Sequence, residues 1–465
     1  VQPALLITLI AASYLLLAGG PSWTRPILWV IAFAAAALAP RRTFSFPPAQ
    51  RSLDLSLMAI VAALALQMIP LPAAVVRLIS PNAIALREAT RLGGSTAWLP
   101  LSIDAASTAQ AISTVGLGVL VFWIARGVFS AGGSTRSFCR IVGWLAAVAS
   151  AVAVVQRATR PGLLMGMVVT DARNANPMGP FLNRNHFAAW LLLAVAISVG
   201  YLIAHLQIHP AYRMRFRTAL RHFLASGALL SGICVLVAIA TMLMTLSRSA
   251  AVGLGAAAVC GGWLGRSRLQ IERSSMPRVL AAAGVAMLVV AAFIDVEGWF
   301  TRLQQSVGIE EAGFARLTIW RESLPMVRDF FLFGTGAGTY GLAMNSYQQS
   351  RFWIGAMQGW AHFNNAHSHY LQILCEGGLL LLLPVLAAIS VLVRLGIKAI
   401  GADKGEMFWA RVGAMAGLVG IAVQSIWEVA LIMPANAVLF AALAGLLLYR
   451  RDSSRHPAAA DVRPV

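Results

Sequence analysis

The chain has 465 residues, of which 59% are hydrophobic and only 11% charged, with a mean hydropathy of +0.75. A soluble chain carries about a quarter charged residues, so a water-soluble globular protein is excluded and the recurring apolar runs read as an all-α polytopic membrane protein. The formal net charge of +19 sits in short loops between those runs, which reads as an orientation signal and headgroup contact, with no nucleic-acid partner.

In chain order, about twelve transmembrane helices are predicted, at residues 3–20, 26–40, 53–70, 107–126, 139–156, 186–206, 223–246, 249–265, 279–295, 378–396, 407–428 and 433–449. The first run, "VQPALLITLIAASYLLLAGG", has no basic stretch before it and reads as a retained span, not a cleaved signal. Alternate loops are basic: Arg41, Arg42 and Arg51, then Arg126, Arg136 and Arg140, then "YRMRFRTALR", "RSRLQIERSSMPR", Lys398 and Lys404, and finally Arg450 and Arg451. By the positive-inside rule these loops and both termini are cytoplasmic. The expected organisation is a single transmembrane domain over 1–450, followed by a disordered cytoplasmic tail over 451–465.

The opposite side carries three larger segments, 71–106, 157–185 and 296–377. The last is a large periplasmic loop expected to hold short helices: "ARLTIWRESLPMVRDF" has helical periodicity and "LFGTGAGTYG" is a glycine-rich turn. It ends in "AHFNNAHSHYLQ", three histidines beside the tenth predicted span. Cys139, Cys234, Cys260 and Cys375 are scattered and imply neither a disulfide nor a metal site.

An exterior site has no ATP or nucleotide sugar to draw on. The sequence has no GxxxxGK[ST] phosphate loop and no Asp-x-Asp pair, the nearest being "DVE" at 295–297. Chemistry there calls for a pre-activated, lipid-borne substrate, with no cofactor and no metal. His367 is the candidate proton acceptor. The residues alone leave open a structural histidine at the helix start, or a zinc site with His362 and His369 that lacks a fourth ligand. Arg184 and Arg248 fall at helix ends on the outer side, where they either snorkel to the headgroups or, since the positive-inside rule gives no reason for charge there, offer fixed forks suited to a pyrophosphate. Arg316 and Arg321, on the predicted loop helix, either add anion contacts or form its polar face. Glu428 reads as the only acid well inside an apolar run, a functional residue by default or a structural partner for a helix-end arginine.

Five stretches, "FLNRNHFAAWL", "TLSRSA", "RLTIWRESLPMVRDFFLFGTGAGTYG", "AHSHYLQILCEGGL" and "EVALIMPANAVLFAAL", stand in an order and spacing that resembles the O-antigen ligase/polymerase superfamily, over roughly residues 170–450. The first five predicted spans carry no such motif. The resemblance implies a GT-C-like membrane glycosyltransferase of the bacterial inner membrane, with its active site on the periplasmic face. It would take a glycan from undecaprenyl diphosphate to an acceptor hydroxyl, most expectedly lipid A–core, without a metal and with inversion. His367 matches the histidine of the family's Ala-His-Asn-Asp-Tyr-Leu-Gln pattern, considered the catalytic base. Arg184 and Arg248 match the arginines thought to grip the donor diphosphate, and Arg316 the loop-helix arginine. Arg321, Asn185, His369 and Glu428 are counted with the substrate-binding residues. The sequence departs from the pattern at Ser368, where Asn is usual, at His369, where Asp is usual, and at Glu428, where Asp is common. The same chemistry would serve a polysaccharide polymerase or a protein O-glycosyltransferase. A flippase for lipid-linked glycans, with the arginines as substrate ligands, is the reading from another class, although the inverted repeats expected of a transporter are not seen.

Overall fold

The computed structural model describes residues 2–39, 41–44, 46–89, 97–130, 135–160, 163–166, 178–208, 227–268, 312–350, 353–354, 359–360, 362–405 and 408–450. In chain order the helices are α1 (Gln2–Leu15), α2 (Thr24–Ala37), α3 (Arg51–Leu66), α4 (Ala73–Ile79), α5 (Pro81–Ala89), α6 (Ala105–Ser130), α7 (Thr135–Thr159) and α8 (Arg184–Ile208). They continue as α9 (Ala228–Met244), α10 (Arg248–Gly265), α11 (Ala312–Asp329), α12 (Tyr340–Tyr347), α13 (His369–Ala402), α14 (Phe408–Gln424) and α15 (Pro434–Leu448). The described strands form two short antiparallel pairs, Leu71–Pro72 with Trp98–Leu99 and Trp353–Ile354 with Gly359–Trp360.

Eleven of the twelve predicted spans fall on helices; the ninth, 279–295, and the tail 451–465 lie outside the described residues. Among the described residues, α6, α7, the first 23 residues of α8 and α13 are long and apolar enough to cross a membrane, while α2, α9, α14, α15 and most of α1 are apolar but shorter. The segment 71–106 holds α4, α5 and the first strand pair, and α11 and α12 are the expected short helices of the large loop.

The bundle is built around α14. Fourteen of its 17 residues are buried, and it packs against α8 and α10, while α15 lies against α6 and α3 against α13. The sequence reason is its small-residue surface, "ARVGAMAGLVG", which lets backbones approach as apolar packing in lipid requires. A Cβ at Gly413 would sit 2.5 Å from the Ala196 carbonyl oxygen, and one at Gly200 would sit 2.3 Å from that of Trp409. Backbone cannot yield as a side chain does. Gly413→Leu should therefore cost about 1–3 kcal/mol or more, seen as a lower melting temperature in detergent. Gly262→Leu, where a Cβ meets nothing within 4 Å, should leave the melting temperature unchanged.

Two sets of buried polar contacts mark the two ends of the bundle. At one end Arg126 meets Asp54 at 3.0 Å and Gln50 at 3.0 Å. There Arg411 also meets Asp403 at 2.6 Å and donates to the carbonyls of Leu447 and Tyr449. These are the ends that carry the basic loops. At the other end lie the starts of α8, α10, α13 and α15.

The tenth span differs most from expectation. Helix α13 begins nine residues before the predicted 378, capped by Ser368, whose side chain accepts from the Leu371 amide. It then breaks at Gly378, with φ +57° and ψ −160°. The glycine-rich turn closes into this break: the amides of Thr335 and Gly336 donate to the carbonyls of Cys375 and Glu376, and those of Leu379 and Leu380 to Phe331 and Leu332. Only glycine fits at Gly334, where a Cβ would lie 2.1 Å from the Glu376 carbonyl oxygen. Beyond the break about 24 residues remain, roughly 36 Å at 1.5 Å per residue, enough to cross a hydrocarbon core.

Candidate active site

The extended start of α13 brings the histidine stretch to the non-basic end of the bundle. His367 precedes the cap and has φ +48°, a left-handed conformation that costs a non-glycine residue about 1–3 kcal/mol and persists only where its surroundings enforce it. Here they do. The His369 amide donates to the Ser425 carbonyl at 2.8 Å, and the Ala366 carbonyl accepts from Trp320 Nε1 at 2.9 Å. His367 is half-buried, and its Nδ1 is shut off from solvent with no hydrogen-bond partner among the described residues. Burial holds its pKa below the ordinary 6.5; the Glu428 charge pulls upward, while Arg316 and His186 push further down. Its surroundings therefore favour the neutral form of the imidazole.

Glu428 corrects one expectation. It lies four residues beyond the end of α14, in the connection to α15. It is also not the only acid among apolar segments, because Asp54 in α3 and Glu376 in α13 are buried as well. Both its oxygens are engaged. Asn185 Nδ2 donates to Oε2 at 2.8 Å, the Val429 amide donates to Oε1 at 3.1 Å, and His186 Nε2 stands 3.6 Å from Oε1. Burial disfavours its charge, but His186, the nearby His367 and the Val429 amide outweigh burial and hold its pKa well below the ordinary carboxylate range. An acid this committed is a fixed anion and not a second base.

The first turn of α8 supplies Arg184, Asn185 and His186 together. It is braced by its neighbours: Asn436 Nδ2 donates to the His186 carbonyl at 3.1 Å, and Gln424 Nε2 to that of Asn185 at 3.4 Å. His186 was not singled out from the sequence. The available signal was an imidazole two positions after Arg184 at a helix start.

Arg248 opens α10 after a tight reversal in which Leu246 also takes a left-handed φ of +56°. Arg316 is half-buried; burial works against its charge, Glu428 supports it, and Arg248 is near enough for its like charge to oppose it. His367, Glu428, Arg316, Arg248 and His186 thus form one electrostatic cluster, with Arg184 beside Asn185 at its edge. Arg321 is not brought in. Five residues after Arg316, it is exposed on a different side of α11.

Nor do the three histidines form a metal set. His362 Nε2 bonds the Gly341 carbonyl at 2.8 Å, and among the described residues no group of three His, Cys, Asp or Glu side chains is arranged to hold a metal ion. His369 is half-buried within the first turn of α13.

A comparison with curated proteins finds no match. Residues 233–386 match a family described as "O-Antigen ligase". The matched stretch contains Arg248, Arg316 and His367, three members of the cluster, with the glycine-rich turn and the break in α13 that position them. Over residues 233–386 the chain is therefore similar to the O-antigen ligase family.

Proposed function

We propose that the protein transfers a glycan from undecaprenyl diphosphate to an acceptor hydroxyl, lipid A–core in the first instance, at the periplasmic face of the inner membrane. The observation that carries this reading is the convergence of a neutral, conformationally strained His367 with Arg248, Arg316 and the fixed anion Glu428 at one end of the bundle. In this reading His367 Nε2 takes the proton of the acceptor hydroxyl as its oxygen attacks the anomeric carbon. The bond from that carbon to the diphosphate breaks, and undecaprenyl diphosphate leaves with inversion. The arginines stabilise negative charge growing on the leaving group, a term that is worth about 3 kcal/mol for each well-placed donor. Glu428 supports the imidazolium through space, because among the described residues no carboxylate bonds Nδ1 as it would in a Ser-His-Asp arrangement. The basic loops at the far end are cytoplasmic in this reading, and both termini lie with them.

Purified protein, given a lipid-linked donor and lipid A–core without ATP or nucleotide sugar, should make the linked product. The reaction should survive EDTA, because the sequence carries no Asp-x-Asp pair to hold a metal on a diphosphate. Product only with a second lipid-linked glycan, or only with a protein acceptor, would identify a polymerase or a protein O-glycosyltransferase. Movement of donor across vesicles with no glycosidic bond formed under any acceptor would identify a flippase and sink the enzyme reading.

A further inference from the structure

Ala366, the residue before His367, is fully buried and bonded on both sides of its peptide. Its carbonyl accepts from Trp320, and its amide donates to Gln372 Oε1 at 3.2 Å. The other end of that side-chain amide, Gln372 Nε2, donates to Glu376 Oε1 at 3.1 Å. Glu376 sits one turn further along α13, and its carboxylate also accepts from the amides of Gly338 at 2.9 Å and Tyr340 at 3.1 Å. A backbone N–H only donates hydrogen bonds, so the Ala366 amide requires the Gln372 oxygen whatever the charge on Glu376. A flipped Gln372 would set its carbonyl against that carboxylate and its NH2 group against the Ala366 N–H. The polarity of the Gln372 amide is thereby fixed, with its oxygen toward Ala366.

We propose that Glu376, acting through the side-chain amide of Gln372, is a positioning residue for His367: the strut holds the peptide entering the left-handed turn and so aims the imidazole. Two of the three bonds to the Glu376 carboxylate anchor the glycine-rich turn, and the third ties that carboxylate to the side-chain amide that holds Ala366. The inference rests on His367 as the base.

The test compares Gln372→Ala, Glu376→Gln, and the exchange Gln372→Glu with Glu376→Gln, in full-length protein with lipid-linked donor and acceptor. Gln372→Ala leaves Glu376 bonded to the glycine-rich turn. It should lower kcat about tenfold or more while the donor KM stays within about twofold, the pattern of a lost transition-state alignment. A kcat within about twofold of wild type, or a loss carried by KM, overturns the proposal. If the alanine variant melts early, Gln372→Met, which keeps the volume, takes its place.

The exchange restores a donor–acceptor pair between the two positions, with a carboxylate beside the Ala366 amide. It should recover at least about fivefold in kcat over Glu376→Gln. No recovery would mean that Glu376 serves only the turn, which also overturns the proposal. If wild-type protein makes no product with any acceptor, it is the proposed transfer reaction that fails, and amide exchange still decides the strut. Faster exchange at Ala366 in Gln372→Ala supports it, and unchanged exchange overturns it.

Discussion

Replacing His367 by alanine is expected to abolish glycan transfer, with a fall of about 100- to 10,000-fold, the usual contribution of a positioned general base. Protein yield and melting temperature should change little, since Ala366 and His369 hold the backbone on either side through bonds that do not involve the imidazole. His369→Ala should be milder. If His369→Ala is dead and His367→Ala active, the base has been assigned to the wrong ring. The pH profile gives a second check. In the proposed reaction neutral imidazole is the active form, and burial keeps the pKa of His367 below 6.5. Activity should therefore persist below that pH and fall only as the lowered pKa is crossed. Arg316 depresses that pKa, so Arg316→Ala should move the acid limb to higher pH, whatever it does to the maximum. Glu428 raises it, so Glu428→Gln should move the limb lower. A limb that stays fixed in both variants would show that another group titrates.

Arg248→Lys and Arg184→Lys should each lower transfer by at least about tenfold, or about 1.4 kcal/mol of transition-state stabilisation. Lysine keeps the charge but loses the planar fork that grips two phosphate oxygens at once. Arg248 also follows a strained reversal at Leu246, so its starting point on α10 is enforced by backbone. Binding of undecaprenyl diphosphate should weaken in the same variants, because the leaving group carries the contacted charge. Arg321→Lys is the contrast. That residue is exposed away from the cluster, and transfer should stay within about twofold. Full activity in Arg248→Lys would mean that the site needs only a positive charge there.

The helices were legible in the sequence because apolar runs of span length leave few alternatives in lipid. Their ends were less so. The tenth span reads from the hydropathy of "GGLLLLLPVLAA" as starting at Gly378, yet α13 starts at His369 because Ser368 caps it. A polar first turn does not register in hydropathy, although here it carries the site. His367, Arg248 and Arg316 were legible as residue types that apolar surroundings do not tolerate without reason. Gathering them with Glu428 and His186 required the packing of α8, α11 and α14, which no local pattern encodes. The same limit applied to Arg321: spacing along a helix distinguishes faces, but which face turns inward is decided by neighbours far off in sequence.

The break in α13 and the location of Glu428 bear on what counts as a unit of this protein. The stretch that carries the family signature begins inside α9 and stops at residue 386, inside α13. It holds His367, Arg248 and Arg316 but lacks Asn185, His186, Ser425 and Glu428. An excised 233–386 fragment would thus be cut through two helices and would lack the carboxylate whose charge acts on His367, the carbonyl that pins His369, and the helix start that orients that carboxylate. The recognisable portion is not a portable module. Grafts or chimaeras that exchange acceptor preference among relatives should accordingly keep α8, α14 and their connection to α15 from the same parent as the histidine stretch.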